Sequence, residues 1–185
     1  MSDPFEVLGV DRKCYFTEEE IKAAYHKQAK TLHPDSIHGD TAEFVHLNTA
    51  YRKVMNPAER LREFILLQFG TSPWCENSLP SKTDLFERSS RVLNTTSQWN
   101  EKLQSASGVI KSSLLLQKIA LETELDAVCD AIEKWIAELT SSLQQMDKNP
   151  EGRTVEHLSV LVTDFTYAGR WLKRIREQKF QLTLV

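Results

Sequence analysis

The chain has 185 residues, of which 41% are hydrophobic and 26% are charged, so it is long enough to bury one or two hydrophobic cores. Its formal net charge of -3 gives no overall attraction to nucleic acid or to an anionic membrane. No apolar run reaches the roughly 18 residues of a membrane span, and residues 1–4 lack the basic start of a signal peptide, so we expect a cytoplasmic protein.

The first 32 residues carry start and stop signals for two helices. The run Asp-Pro-Phe-Glu at residues 3–6 places a capping carboxylate before a first-turn proline and predicts a short helix that ends at Gly9. A capping box at residues 17–20 starts a second helix. This helix must end near Leu32, because Pro34 disfavours helical geometry at the residue before it.

A third and a fourth helix are predicted after the loop at residues 36–40. The third follows from apolar residues spaced three and four apart, whose stripe would pack against the second helix as an antiparallel pair. Asn56 and Pro57 end it and start the fourth helix, which runs to Gly70. The apolar residues of the third helix are Phe44, Leu47, Tyr51, Val54 and Met55.

The composition changes after Gly70. Residues 71–82 contain two prolines and several Ser, Thr and Asn residues, which indicates a linker. Beyond the linker, helical periodicity predicts three further helices, over about residues 83–105, 108–147 and 154–180.

The long sixth helix has the apolar spacing of a coiled coil. Its apolar residues alternate by four and three, and a turn at residues 149–152 lets the last helix return antiparallel along the same seam. The predicted fold is therefore all-α. It comprises an N-terminal helical domain over residues 1–70, a linker over 71–82 and a three-helix bundle with a long hairpin over 83–185.

The three cysteines, Cys14, Cys75 and Cys129, stand far apart and form no Cys-x-x-Cys pair. In a chain without a secretion signal, such cysteines favour reduced thiols over disulfides. A protein that itself binds zinc or an iron-sulfur cluster is disfavoured for the same reason, and we predict no cofactor. An enzyme is also disfavoured, because no Gly-rich phosphate loop, nucleophile elbow or pair of catalytic carboxylates is present.

The loop between the second and third helices carries the tripeptide His33, Pro34 and Asp35. The proline fixes the loop, while the imidazole and the carboxylate offer a directional hydrogen bond and a negative charge to a partner surface. Nothing in the tripeptide can catalyse a reaction by itself. A metal site made by His33 with His38 or His46 is disfavoured, since their spacing matches no recognised set of ligands.

In this position the tripeptide resembles the signature of the J-domain. Residues 3–10 are similar to the opening of such a domain, residues 21–25 to its second helix, and residues 47–60 to its third helix and the start of its fourth. The resemblance covers roughly the first 70 residues. It implies a co-chaperone that stimulates ATP hydrolysis by a DnaK-type chaperone.

The resemblance also implies a chaperone-binding surface, made of the loop and the basic face of the second helix. His26 stands where the family often has a permanently basic residue, so we expect a contact that is weaker or sensitive to pH. Without the tripeptide, the lysines here would be interpreted as an ordinary solvated helix face. The implied contact residues are Lys22, Tyr25, His26, Lys27, Lys30, His33, Pro34 and Asp35.

A J-domain followed by a short linker and a three-helix bundle resembles the HscB family of iron-sulfur cluster co-chaperones. This resemblance implies that the bundle binds an IscU-type scaffold and delivers it to a DnaK-type or HscA-type chaperone. Asn94 and Ser97 stand where the family has apolar residues, a departure that would lower scaffold affinity. The implied scaffold contacts are Leu93, Ser97, Trp99 and Tyr167.

Alternatives stay open for the bundle. It could recruit a different client to the same type of chaperone, or form a dimer. Trp99 either compensates for the lost apolar area or belongs to the core, and Tyr167 and Trp171 could equally be bundle packing. A basic cluster in the last helix is most simply explained as solvated charge near a helix C-terminus. It consists of Arg170, Lys173, Arg174, Arg176 and Lys179.

Overall fold

The structure is a computed structural model that describes residues 2–33, 40–73 and 79–184. Within these ranges the chain is helical and contains no strand, which confirms the all-α prediction. No helix of this part of the chain is both long and apolar enough to cross a membrane. The helices are α1 (Pro4–Leu8), α2 (Glu18–Leu32), α3 (Thr41–Met55), α4 (Pro57–Phe69), α5 (Thr83–Ser105), α6 (Gly108–Lys148) and α7 (Val155–Thr183), with a 3-10 turn at Pro150–Gly152.

The chain divides into two compact units. Unit 1 comprises Met1–Ser78 and Leu139–Phe165, and unit 2 comprises Leu79–Glu138 and Thr166–Val185. Helices α6 and α7 therefore each contribute one segment to unit 1 and one to unit 2. The turn between α6 and α7 groups with the N-terminal helices. The domain limits inferred from the sequence stay a prediction.

Side chains at the helix ends explain where the helices of unit 1 begin and stop. Asp3 Oδ1 accepts a hydrogen bond from the Phe5 N–H at 2.9 Å, and the predicted capping box of Thr17 and Glu20 is formed in both directions. Gly9 ends α1 with a φ of 67°. A Cβ at Gly9 would lie 2.8 Å from Gln28 Nε2, the end of a flexible side chain on α2 that can move aside, so it is the backbone geometry that favours glycine there.

Helices α1 to α4 enclose the apolar core of unit 1, and a buried arginine lies beside it. Arg60 is only 4% exposed, and it donates from Nε to the Cys14 carbonyl at 2.9 Å and from Nη1 to the Val54 carbonyl at 2.7 Å. Burial lowers the pKa of its guanidinium to about 10, which still leaves the group charged at neutral pH. The core residues include Phe5, Leu8, Phe16, Ile21, Leu47, Val54, Leu61, Phe64 and Ile65.

The turn between α6 and α7 is joined to the segment before α2 by a carboxylate. Asp147 accepts hydrogen bonds from the backbone N–H groups of Cys14 at 2.9 Å and Tyr15 at 2.7 Å. Arg153 Nη2 donates to the same carboxylate at 2.9 Å, and the Arg153 guanidinium lies 5.4 Å from the ring centroid of Phe64. We call this arrangement the Asp147 clasp. It satisfies two part-buried backbone donors with one side chain.

Unit 2 is a bundle of three helical segments from α5, α6 and α7, as predicted. Trp99 on α5 donates from its indole N–H to the Leu114 carbonyl on α6 at 2.8 Å. Trp135 on α6 packs against Trp171 on α7, with the ring centroids 6.1 Å apart. Contacts of this kind fix α6 antiparallel to both neighbours. The buried residues include Leu85, Val92, Leu93, Leu125, Val128, Ile132, Ala168 and Ile175.

Two cysteines are free and buried, Cys14 in unit 1 and Cys129 in unit 2, while Cys75 lies outside the described residues. Burial, followed by the negative charge of Asp147, raises the pKa of the Cys14 thiol to about 12. Burial also raises the pKa of Cys129, together with its hydrogen bond to Glu133. Neither thiol is therefore activated as a nucleophile.

We expect the native protein to protect both buried thiols from modification. A Cys75→Ser variant should react with Ellman's reagent only after unfolding in guanidinium chloride, since each native thiol is protonated and covered. Because the unfolded thiol loses its proton first, the free energy of unfolding should also fall as the pH rises from about 9 towards about 12. Rapid reaction of either thiol in the folded variant would contradict this prediction.

Candidate functional site

The predicted chaperone contacts on α2 lie on one exposed face. Lys22, His26, Lys30 and His33 follow one another by four, four and three residues, so their side chains line up over about 16 Å. Lys27 is exposed beside this row. We call Lys22, His26, Lys27, Lys30 and His33 the basic strip. The structure thus brings most of the predicted residues together.

The positive charge of the basic strip is not evenly available. Lys22 Nζ lies 2.5 Å from Glu18 Oε1, and this hydrogen bond raises the pKa of the Lys22 amine. Lys27 and Lys30 have no carboxylate partner within the described ranges. Both lie in the second half of α2, where the helix dipole favours cations. The uncompensated charge is therefore concentrated towards His33.

Tyr25 packs on α3, and its ring also meets His26 of the basic strip edge-on, with the centroids 5.5 Å apart. Its hydroxyl donates to Asn48 Oδ1 at 2.9 Å, and its ring packs on Tyr51 with the centroids 4.5 Å apart. Asn48 is held in turn by a hydrogen bond from its Nδ2 to the Phe44 carbonyl. The half-buried Tyr25 therefore ties α2 to α3, and it can offer a partner only the part of its ring that stays exposed.

His33 is the residue immediately after α2, and its side chain is exposed. Its backbone N–H donates to the Ala29 carbonyl at 3.0 Å, and its ring meets Phe44 edge-on with the centroids 5.3 Å apart. The ring is thus oriented by α3 and is still accessible. Pro34 and Asp35 lie outside the described residues, as does His38. Within the described residues, no group of three or more His, Cys, Asp or Glu side chains is arranged to hold a metal ion.

The four predicted scaffold contacts in unit 2 lie in different environments. Leu93 and Trp99 are 7% and 3% exposed and belong to the core, so neither side chain is available to a partner in this conformation. Ser97 is exposed and Tyr167 is half-buried. The structure therefore leaves Tyr167 as the predicted contact with an accessible aromatic surface. A scaffold-binding role for these residues stays a prediction.

Sequence reasoning missed two residues, one beside the predicted scaffold contacts and one that holds unit 1 together. Phe86 in the first turn of α5 packs against Tyr167 and Trp171. Asp147 forms the clasp described above. An apolar residue at the start of a helix, such as Phe86, predicts burial but does not show which residues it packs against. An acidic residue near a helix end, such as Asp147, does not predict a contact with a segment far away in sequence.

Comparison with known proteins identifies the N-terminal segment. Residues 3–62 match the family model of the DnaJ domain. Over 78 residues, the chain is 42% identical to the chaperone protein DnaJ of Acetivibrio thermocellus, covering 40% of this chain and 19% of that protein. Over 60 residues, it is 42% identical to the mitochondrial respiration co-chaperone MRJ1 of Cryptococcus neoformans, covering 31% of this chain and 18% of that protein. No solved structure matches the chain significantly.

These relatives are much longer than the segment they share with this chain. The mouse DnaJ homolog subfamily B member 12, for example, is 42% identical over 60 residues, which are 31% of this chain and 15% of that protein. The chain thus spans less than a fifth of the length of these curated relatives. Residues 3–62 are a DnaJ domain, which confirms the J-domain prediction. The assignment to the HscB family stays a prediction.

Proposed function

We propose that this chain, whose residues 3–62 are a DnaJ domain, is a co-chaperone that stimulates ATP hydrolysis by a DnaK-type or HscA-type chaperone. The observation that carries the proposal is the basic strip, with its uncompensated lysines next to an oriented and accessible His33. The strip presents exposed amine and imidazole groups, which suit contact with another protein. Its role would therefore be to bind a partner.

The basic strip suits a partner surface of opposite charge. Exposed lysines contribute little affinity individually, but a row of them steers association and fixes orientation. A negatively charged face of the chaperone's nucleotide-binding domain would meet Lys27 and Lys30 first. This encounter would bring His33 and the adjoining loop against the chaperone. Because exposed charges are screened, the stimulation should weaken as the salt concentration rises.

We further propose that unit 2 carries the client, an IscU-type iron-sulfur scaffold, on a surface that includes Tyr167. The order of J-domain, linker and helical bundle, which resembles the HscB family, supports this proposal. The half-buried ring of Tyr167 offers a rigid aromatic contact of the kind that dominates many protein interfaces. The alternative is that unit 2 carries a different client, or pairs with a second copy of the chain.

Calorimetric titration of the organism's IscU-type scaffold into the chain tests the client proposal. We expect micromolar binding that weakens at least about tenfold in Tyr167→Ala, since losing an aromatic anchor costs about 2 kcal/mol. Tyr167→Phe keeps the ring and should bind nearly as the parent chain does. Leu93→Ala is unsuitable as a contact variant, because that residue is in the core. If a folded scaffold shows no binding, the client is a different protein.

A further inference from the structure

Unit 2 has an open groove beside α7, with a volume of about 420 Å³. Its floor is aromatic and its rim is mostly basic. We call it the aromatic groove. It is lined by Phe86, Tyr167, Arg170, Trp171, Lys173, Arg174 and Glu177.

The floor of the aromatic groove is assembled before any partner arrives. The ring centroids of Phe86 and Trp171 are 5.2 Å apart, and those of Tyr167 and Trp171 are 5.6 Å apart. Trp171 is only 6% exposed and rests on Trp135, whereas Phe86 and Tyr167 are half-buried and face the groove. An apolar group that docks here meets rings already held in place, so little side-chain entropy is lost on binding.

The rim carries positive charge that the fold does not neutralise. Of the five cations in the α7 cluster, Arg176 pairs with Glu133, Lys179 with Asp126 and Lys173 with Glu177. Arg170 and Arg174 are exposed and have no carboxylate partner in the described part of the chain. They lie four residues apart, so these like charges are neighbours on the helix and repel each other. The exposure of Arg170 and Arg174 agrees with the sequence interpretation of solvated charge, and both add unpaired positive charge at the groove.

We propose that the aromatic groove binds a client segment in which an apolar anchor is flanked by carboxylates. The anchor would lie against Tyr167 and Phe86. The carboxylates would accept hydrogen bonds from the guanidinium groups of Arg170 and Arg174. Arginine suits this role because its planar fork can donate two parallel hydrogen bonds to one carboxylate. An anion between the two arginines would also relieve their mutual repulsion. This inference rests on the proposed function only in taking unit 2 as the part that holds the client.

A peptide ligand fits the groove better than single-stranded nucleic acid. Proteins that bind single strands follow the phosphate backbone with a continuous basic path. Here only two unpaired arginines border the floor, Glu177 adds a negative charge, and the whole chain has a net charge of -3. That balance suits a short acidic segment rather than a polyanion.

Two fluorescein-labelled peptides with the same leucine and phenylalanine anchor, one flanked by glutamates and the other by lysines, test the inference. We expect the full-length chain to bind the glutamate peptide at least about tenfold more tightly, as measured by fluorescence anisotropy. In the double variant R170E/R174E the preference should reverse, because two glutamates at these positions repel the glutamate peptide and attract the lysine peptide. The double variant K111E/K134E is the matched control, since it changes two exposed lysines elsewhere by the same net charge. It should keep the preference for the glutamate peptide.

Equal binding of the two peptides, or an unchanged preference in R170E/R174E, would overturn the inference. Tighter binding of a single-stranded oligonucleotide than of the glutamate peptide would overturn it as well. ATPase stimulation measured with the same variants separates this test from the proposed function, because the basic strip is unaltered in them. If R170E/R174E loses the peptide preference but stimulates the ATPase fully, the result supports the groove inference alone. If the parent chain does not stimulate the ATPase, the proposed co-chaperone function fails, whatever the peptides show.

Discussion

His33→Gln should abolish stimulation of a DnaK-type ATPase and leave the circular dichroism spectrum of the chain unchanged. The His33 side chain is exposed, and its ring meets Phe44 edge-on, so its loss should cost the fold less than about 1 kcal/mol. Glutamine keeps a polar side chain but lacks the ring that Phe44 orients. The effect should therefore fall on recognition of the chaperone.

The measurement is phosphate release by the chaperone in a single turnover, with and without the variant. His157→Gln provides the matched control, because His157 is another exposed histidine and lies outside the DnaJ domain. This control should stimulate as the parent chain does. Undiminished stimulation by His33→Gln, with an intact spectrum, would refute the proposed mechanism of the basic strip.

Asp147→Ala should lower the free energy of unfolding by about 2 to 4 kcal/mol. The substitution removes the acceptor for the N–H groups of Cys14 and Tyr15 and the charged partner of Arg153. Part-buried donors without an acceptor, together with an uncompensated cation, are among the costly defects in a folded protein. Asp147→Asn keeps one acceptor oxygen and should lose less.

Urea unfolding followed by circular dichroism measures this loss, and hydrogen exchange at the Cys14 and Tyr15 amides locates it. Asp126→Ala is a useful control, since Asp126 forms an exposed ion pair with Lys179 that should contribute less than about 1 kcal/mol. If Asp147→Ala were no more destabilising than Asp126→Ala, the prediction would be wrong, because water would then replace the hydrogen bonds of the clasp at almost no cost in free energy. Faster exchange confined to the two amides would support the clasp.

The helices could be predicted from the sequence because their signals are local. The capping box of Thr17 and Glu20, the Asn-Pro step at residues 56–57 and the glycine at residue 70 each act within one turn of the helix end that they set. The basic strip could be predicted for a similar reason, since its members are neighbours on one helix. The helical spacing alone places Lys22, His26 and Lys30 on the same face.

Contacts between distant segments could not be predicted in this way. Asp147 and Cys14 are separated by 133 positions, and no periodicity or motif connects them. Leu93 and Tyr167 were both proposed as contacts from a resemblance, yet only Tyr167 keeps accessible surface. Apolar and aromatic residues give the same hydrophobic signal whether they end in the core or at its edge. Their exposure depends on how neighbouring helices pack.

The Asp147 clasp also sets an order of events while the chain is being made. At roughly 5 to 20 residues per second, the ribosome adds Asp147 about 7 to 27 s after Cys14. Until then, the N–H groups of Cys14 and Tyr15 can bond only to water or to transient partners in the nascent chain. The basic strip on α2 is complete much earlier, so the proposed surface for the chaperone emerges before the N-terminal unit can close. Nascent chains stalled between these two points would expose that strip on an unfinished fold.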